Sequence, residues 1–311
     1  MKIKKIHIRD FRGIEELEVD LVHPSGNVLD LAVFAGPNGS GKTSVLEACL
    51  ISLGRSDLIG DRPDNDVRSG ATNFEICLQM NSGEEIVASS KSREKQISRA
   101  LQGIGVEYFS SWREPKLIGS LPITAGKKGK RPKETEQNRL WLIKQHLINL
   151  RARRAFESQQ IFPEIEPEVF KLINDSWRQF YPGSDSCFEV RPISESIDEG
   201  FDLFIRDIPT SQLIPVDALS SGEIEVLTMI GWFATRKTNP QFLFIDEPEL
   251  HLHSTWHRVV LRVLRKLLPN TQIICATHSK EVLDSVLSYQ RFTLLPPDDP
   301  RIKLKGKDYL K

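Results

Sequence analysis

Gly36-Pro37-Asn38-Gly39-Ser40-Gly41-Lys42-Thr43 is the stretch from which the rest of the chain can be read. It matches the phosphate-binding loop pattern, a glycine, four residues, then Gly-Lys-Thr. Its context supports the match. The apolar run Leu31-Ala32-Val33-Phe34-Ala35 precedes it as a strand, and a helix is expected from Lys42 to about Leu53. In that helix Val45, Leu46, Cys49, Leu50 and Leu53 recur at the 3.6 period, so one face should pack on a sheet. Glycines let the backbone wrap a polyphosphate, and the helix N-terminus behind them points N–H groups at negative charge. Lys42 then reaches the β- and γ-phosphates, and the Thr43 hydroxyl ligates Mg²⁺.

Such a loop needs an acidic partner for its metal. Phe242-Leu243-Phe244-Ile245-Asp246-Glu247 supplies one, a buried strand that delivers two acids at its C-terminal edge, where ligands bind in parallel α/β sheets. Asp246 is expected to hold Mg²⁺ through its water shell, and Glu247 to orient or deprotonate an attacking water. The plain alternative is that the two acids merely end a strand before Pro248, which leaves the loop without its Mg²⁺ partner.

Further out, residues 2 to 35 read as three strands, and Phe74 to Met80 with Glu84 to Ser89 read as a hairpin around Asn81-Ser82-Gly83. Val106 to Phe109 reads as another strand. Helices are expected from about Glu134 to Ser158 and from Pro167 to about Phe180. The last third alternates strand and helix: Phe201 to Arg206, Ser221 to about Arg236, Gln241 to Ile245, Ser254 to Leu268, Gln272 to Ala276, Lys280 to Leu287. Fully apolar strands in such alternation indicate a parallel sheet covered on both faces.

The chain has 311 residues, 27% charged and 39% hydrophobic, the balance of an ordinary globular protein rather than a disordered one. Its 42 basic residues cancel its 42 acidic ones, which excludes a uniformly basic nucleic-acid coat. Local asymmetry is another matter. From Arg113 to Arg154 twelve Lys/Arg face three Glu, a net +9, and Lys127 to Lys133 holds five cations with Gly129 and Pro132. That loop, with Arg151, Arg153 and Arg154 on the following helix, either tracks nucleic-acid phosphates or is a solvated face. Cys49, Cys77, Cys187 and Cys275 form no metal or redox spacing, and the basic start is interrupted by His7, Arg9 and Asp10 before any apolar stretch. No run approaches the ~20 apolar residues of a membrane helix. A cytoplasmic protein with no membrane partner is the expectation.

Spacing and order carry a family resemblance. Lys42 and Asp246 stand 204 positions apart, too far for a simple nucleotide kinase, and Leu219-Ser220-Ser221-Gly222-Glu223 lies between them. That segment resembles the LSGGQ signature of ATP-binding-cassette (ABC) ATPases, and Ala276-Thr277-His278-Ser279 resembles their switch histidine. Ile6-His7-Ile8-Arg9-Asp10-Phe11-Arg12-Gly13 resembles the opening strand and Phe-Arg pair of the branch holding SMC proteins, RecF and the ATPase halves of OLD nucleases. Asp246-Glu247-Pro248-Glu249-Leu250-His251-Leu252-His253 resembles that branch's Walker B and D-loop run. ATPases of this kind serve DNA repair and anti-phage defence.

The resemblance implies an α/β P-loop NTPase, an ABC-type ATPase head with a mixed sheet core and a short helical insertion lobe. It divides as a nucleotide-binding lobe, about 1–112 plus 240–311, and a helical, basic, signature-bearing lobe, about 113–239. ATP and Mg²⁺ are the implied cofactors, with Gly36, Pro37, Asn38, Gly39, Ser40, Gly41, Lys42, Thr43 and Arg12 on the nucleotide, and Thr43 and Asp246 on the metal. Glu247, His278 and Lys42 are the implied catalytic residues. Ser220 and Gly222 of one protomer would touch the γ-phosphate held by Lys42 of another, an ATP-sandwiched homodimer.

Departures from the family are equally specific. After Val106 to Phe109 the family places a glutamine, whereas Ser110-Ser111-Trp112-Arg113 stands here. Extended heptads and a Cys-x-x-Cys hook are missing, so long SMC arms are not expected, and the 33 residues after His278 leave no room for an OLD-type nuclease domain. His251, His253 and His257 invite a metal reading, but no cysteine or second acid set accompanies them; the family position makes His251 a D-loop residue and His257 a helix-surface one. Asp298-Asp299 among prolines reads as a turn. Two functions follow. One is an ATPase clamp that couples hydrolysis to DNA or a partner. The other is a nucleotide-sensing scaffold that restrains a separate nuclease or toxin effector. A transporter ATPase stands third, for want of the glutamine loop.

Overall fold

The computed structural model describes residues 1–60, 66–90, 103–114, 116–123, 135–156, 165–194 and 200–295. In chain order its main elements are β1 (Ile3–Phe11), β2 (Ile14–Asp20), β3 (Leu31–Ala35), α1 (Lys42–Ser52), β4 (Glu75–Met80), β5 (Glu85–Ser89), β6 (Val106–Phe109), α2 (Arg139–Phe156) and α3 (Ile165–Phe180). There follow β7 (Ser186–Pro192), β8 (Phe201–Asp207), β9 (Leu213–Pro215), α4 (Ser221–Ala234), β10 (Phe242–Asp246), α5 (Ser254–Leu267), β11 (Gln272–Thr277), α6 (Lys280–Asp284) and β12 (Arg291–Thr293). Two compact units result, one of 1–111, 239–249 and 269–311, the other of 112–238 and 250–268. Leu250–Leu268, carrying α5, groups with the second unit.

The first unit holds two sheets. A parallel one runs β12-β3-β11-β10-β6, and an antiparallel one runs β2-β1-β4-β5. In the parallel sheet every residue of β3, β10, β11 and β6 is buried, as continuous apolar runs require when both faces are covered. In the antiparallel sheet the burial alternates from Glu16 on: Leu17 and Val19 are buried while Glu16, Glu18 and Asp20 are exposed. β12, three residues long and parallel to β3, escaped the sequence reading because a run that short has no period to detect.

Helix α1 differs from expectation in one respect. Instead of laying a single face on a sheet, it contacts strands of both sheets, β10 and β11 on one side and β1, β4 and β5 on the other. Nine of its eleven residues are buried, Glu47 among them. A helix between two sheets is apolar nearly all round, so its hydrophobic stripe has no polar opposite.

The second unit packs α2, α3, α4 and α5 against one another, with α4 touching each of the other three. Gly231 of α4 allows the close approach to α2, since a Cβ there would meet Ile143 Cγ2 at 2.9 Å. Phe201 to Arg206 is a strand as expected, but β8 does not belong to the parallel alternation. It is the centre of an antiparallel sheet, β7-β8-β9. β7 was readable from the alternation of buried Phe188 and Val190 with Cys187, Glu189 and Arg191. The expected helix from Lys280 to Leu287 is shorter, ending at Asp284. Among the described residues no helix is long and apolar enough to cross a membrane.

Candidate functional site

The site grows from three strand ends of the parallel sheet. β3 leads into the loop 36–41, and the loop turns into α1 through Gly39 (φ 80°) and Gly41 (φ 89°), left-handed conformations that glycine adopts without a Cβ penalty. At Gly36 the restriction is spatial: a Cβ would collide with the Leu294 carbonyl and lie 2.6 Å from Ser40 Oγ. Lys42 begins α1 and folds back over its own loop, its Nζ donating to the carbonyls of Gly36 (2.8 Å) and Pro37 (2.9 Å). Burial pushes the Lys42 ammonium below the usual lysine range, and the nearby charges of Asp246, Glu247 and Glu249 oppose that shift without cancelling it.

One position on, the Thr43 hydroxyl donates to Asp246 Oδ2 at 2.8 Å, joining residues 203 positions apart in the chain. Asp246 ends β10 and is 1% exposed. These are the two groups assigned to Mg²⁺, one a hydroxyl and one a carboxylate, both oxygen donors of the kind a hard divalent cation takes. The donor set fits the metal, and the glycine-lined loop with its buried cation fits a polyphosphate.

Glu247 follows in a left-handed conformation (φ 53°), uncommon for a residue with a side chain, while its N–H donates to the Ala276 carbonyl at 2.8 Å. That turn directs its carboxylate to the end of β11, where His278 Nδ1 lies 3.2 Å from Glu247 Oε1. Lys42, Thr43, Asp246, Glu247 and His278 are thus brought to one edge of one sheet by β3, β10 and β11.

Arg12 has different company from that expected. It sits just beyond β1 with φ 51°, its Nε donates to Asp66 Oδ1 at 2.9 Å, and Nη1 donates to Glu47 Oε2. Its guanidinium also lies over the Phe11 ring at 5.0 Å. The guanidinium assigned to nucleotide is engaged by two buried carboxylates. Neither partner was singled out from the sequence. An acid in an otherwise apolar helix was the available signal for Glu47.

In the second unit Ser220 caps α4, and a full capping box joins it to Glu223. Gly222 is buried, and a Cβ on it would meet the His251 carbonyl at 2.6 Å and Trp256 at 3.3 Å. Gly222 is therefore a packing requirement within its own unit. His251 itself is left-handed (φ 64°), and His253 caps α5 by accepting from the Thr255 N–H at 3.4 Å. His257 Nε2 lies 3.2 Å from the Leu252 carbonyl. Among the described residues no group of three His, Cys, Asp or Glu is arranged to hold a metal. Where the family's glutamine is missing, Arg113 forms a buried ion pair with Glu225 of α4. Lys127 to Lys133 lies outside the described residues, as does Asp298-Asp299; Arg151 is exposed on α2, and the side chains of Arg153 and Arg154 also fall outside.

Comparison with known proteins agrees with this geometry. An "AAA ATPase domain" family matches residues 1–151, and an "AAA domain, putative AbiEii toxin, Type IV TA system" family matches residues 130–284. Solved SMC head domains share the fold at a TM-score of 0.55: one bound to the C-terminal winged-helix domain of ScpA (15% identity, 92% of both chains), and one with an extended coiled coil bound to the C-terminal domain of Pyrococcus furiosus ScpA (13% identity, 95% of this chain and 94% of that one). The chain has the fold of the SMC heads and is similar to ABC-type ATPases of the SMC- and RecF-like kind.

Curated proteins similar to the chain include the Retron Vc95 probable ATPase of Vibrio cholerae, 34% identical over 27% of this chain and 20% of the relative. The Retron Ec83 probable ATPase of Escherichia coli is 26% identical over 47% of this chain and 27% of the relative. RecF of Desulforamulus reducens is 34% identical over 24% of this chain and 19% of the relative. The chain thus matches only about a fifth to a quarter of the length of these relatives.

Proposed function

We propose that this SMC/RecF-like head binds Mg-ATP on the loop 36–43, closes into a head-to-tail dimer around it, and hydrolyses it. The observation that carries the reading is the Thr43 to Asp246 hydrogen bond, 2.8 Å, which joins the loop and the acidic strand as a metal site requires. Mg²⁺, when bound, supplies charge neutralisation on the phosphate oxygens. Lys42 adds a fixed positive charge at the transferred phosphoryl once its ammonium leaves the Gly36 and Pro37 carbonyls. Glu247 orients a water for in-line attack and accepts its proton at the carboxylate, while His278, 3.2 Å away, fixes the carboxylate and faces the developing charge.

Dimer closure brings Ser220 of one protomer to the phosphate held by Lys42 of its partner. Nucleotide then acts as a reversible clamp, shifting a monomer–dimer equilibrium and with it affinity for DNA or for an effector protein. Arg151 and the cations of Lys127 to Lys133 are the groups we assign to DNA phosphates. The test is Glu247→Gln. Nucleotide binding is retained, turnover falls by about 10²-fold or more, and dimer accumulates with ATP in light scattering. Unchanged turnover removes Glu247 from the mechanism and with it this reading.

A second reading is favoured by the two retron ATPases among the relatives. In it the head is a nucleotide-sensing scaffold that restrains a separate nuclease or toxin. A co-purified effector whose activity ignores Glu247→Gln supports the scaffold; DNA-stimulated turnover by the isolated chain supports the clamp.

A further inference from the structure

We infer that Glu249 is a positioning residue for hydrolysis, one that sets the switch histidine against Glu247. The inference rests on the proposed roles of Glu247 and His278 and adds a third member to them. Glu249 lies two residues past Glu247 and is 7% exposed. Its Oε1 accepts the Thr277 hydroxyl at 2.6 Å, the His278 N–H at 3.1 Å and the Ser279 N–H at 3.1 Å. The same oxygen stands 3.7 Å from His278 Nδ1. One carboxylate oxygen therefore holds the side chain before the histidine, the amide of the histidine and the amide after it.

That arrangement has a mechanical consequence. His278 leaves β11 at a point where strand pairing has ended, and its ring is half-exposed. An exposed imidazole on an unheld turn would sample several rotamers and spend little time 3.2 Å from Glu247. With the backbone on both sides of its Cα tied to Glu249, only the side-chain torsions remain free. Thr277, fully buried, completes the tie, because its hydroxyl donates to Glu249 and accepts the Ser279 N–H at 2.9 Å. Glu247 and Glu249 leave β10 on the same short turn, so the pair that meets at the ring is set by two strands at once.

The carboxylate is also placed where a purely structural group would not be. Its second oxygen, Oε2, is buried with no hydrogen-bond partner among the described residues. Leaving a buried acceptor unmade is costly, and more so for a charged group. A glutamine would fill the same space at less desolvation, so the negative charge beside His278 is the property that the charge-neutral replacement tests.

The experiment uses the full chain and compares Glu249→Gln, Glu249→Ala, His278→Ala and the Glu249→Ala/His278→Ala double variant, with Glu247→Gln as reference. Expected is a loss in kcat of about tenfold or more in Glu249→Ala and a smaller loss in Glu249→Gln, with affinity for a fluorescent ATP analogue within about twofold of the parent. In the double variant the Glu249 substitution should add less than about twofold to the loss from His278→Ala, because it acts through that residue. Additive losses, or a fall in nucleotide affinity matching the fall in kcat, overturn the inference, as does full kcat in Glu249→Ala. Should Glu249→Ala fail to fold, the Glu249→Gln and His278→Ala pair gives the same cycle, with the same outcomes. If Glu247→Gln abolishes turnover while Glu249→Ala does not, only Glu249's role falls; if Glu247→Gln turns over normally, the hydrolysis reading falls first.

Discussion

Ser220 donates its hydroxyl to Glu223 Oε2 at 2.7 Å, and the same oxygen accepts the Ser220 backbone N–H at 2.8 Å. The two donors that Ser220 would offer a γ-phosphate in the proposed dimer are therefore already on a carboxylate three residues further on. A negative group near the N-terminus of α4 also complements the helix dipole, so the cap is favourable in the isolated unit and competes with an incoming phosphate. Glu223→Gln keeps the hydrogen bonds and removes the charge. Its expected effect is tighter ATP-dependent self-association, by several-fold for a change of about 1 kcal/mol, read by sedimentation in a Glu247→Gln background so that nucleotide persists. Weaker or unaltered association would show that Glu223 does not compete.

Arg113 and Glu225, 3% and 1% exposed, form a buried pair that ties Arg113 to α4. Removing Arg113 leaves the Glu225 carboxylate buried without its cation, which costs about 3 to 5 kcal/mol, whereas replacing both by apolar residues of similar volume is often neutral. Arg113→Met and Glu225→Leu should each lower the midpoint of urea unfolding, and the double variant should recover most of the loss. A double variant as unstable as the sum of the singles would mean the pair contributes through other contacts.

This pair also marks where reading the chain as text stops. The glutamine's absence was plain at Ser110-Ser111-Trp112-Arg113, but an ion-pair partner 112 positions away in sequence leaves no local pattern. The same holds for Arg12 with Glu47 and Asp66, and for Glu249 with the residues around His278, since an ion pair or a buried acceptor has neither period nor fixed spacing. The phosphate loop and the acidic strand were legible because they are contiguous. Each packs strand, turn and chemistry into a few residues. The Ser220–Glu223 cap lies between these cases: Ser-x-x-Glu ahead of an apolar run is a recognised helix start, yet that the cap occupies the signature's own donors is evident only from the geometry.

Arg12 supplies a third test. Its two carboxylate partners engage Nε and Nη1, so those nitrogens reach a nucleotide only where a partner yields. Asp66→Asn weakens one hold without opening a cavity. Expected is a several-fold gain in ATP affinity that disappears when Arg12→Ala is added, since only a freed arginine can produce it. Equal gains with and without Arg12 would exclude the guanidinium as the nucleotide contact.

Lys42 gives the prediction with a definite sign in pH. Burial holds its pKa below the ordinary 10.5, Asp246, Glu247 and Glu249 offsetting only part of the effect. Between the lowered folded value and 10.5 the unfolded chain binds more protons than the folded one, so this residue's contribution to stability rises with pH across that window. Its charged form is disfavoured below the window and the penalty vanishes above it. Phosphate oxygens placed beside the ammonium reverse the balance by favouring the charged form. Nucleotide binding just below pH 10.5, inside that window, should therefore take up protons, seen as a binding enthalpy that changes with the ionisation heat of the buffer. Lys42→Met should abolish that dependence. Proton release, or the same uptake in Lys42→Met, would show that the lysine does not meet the phosphates.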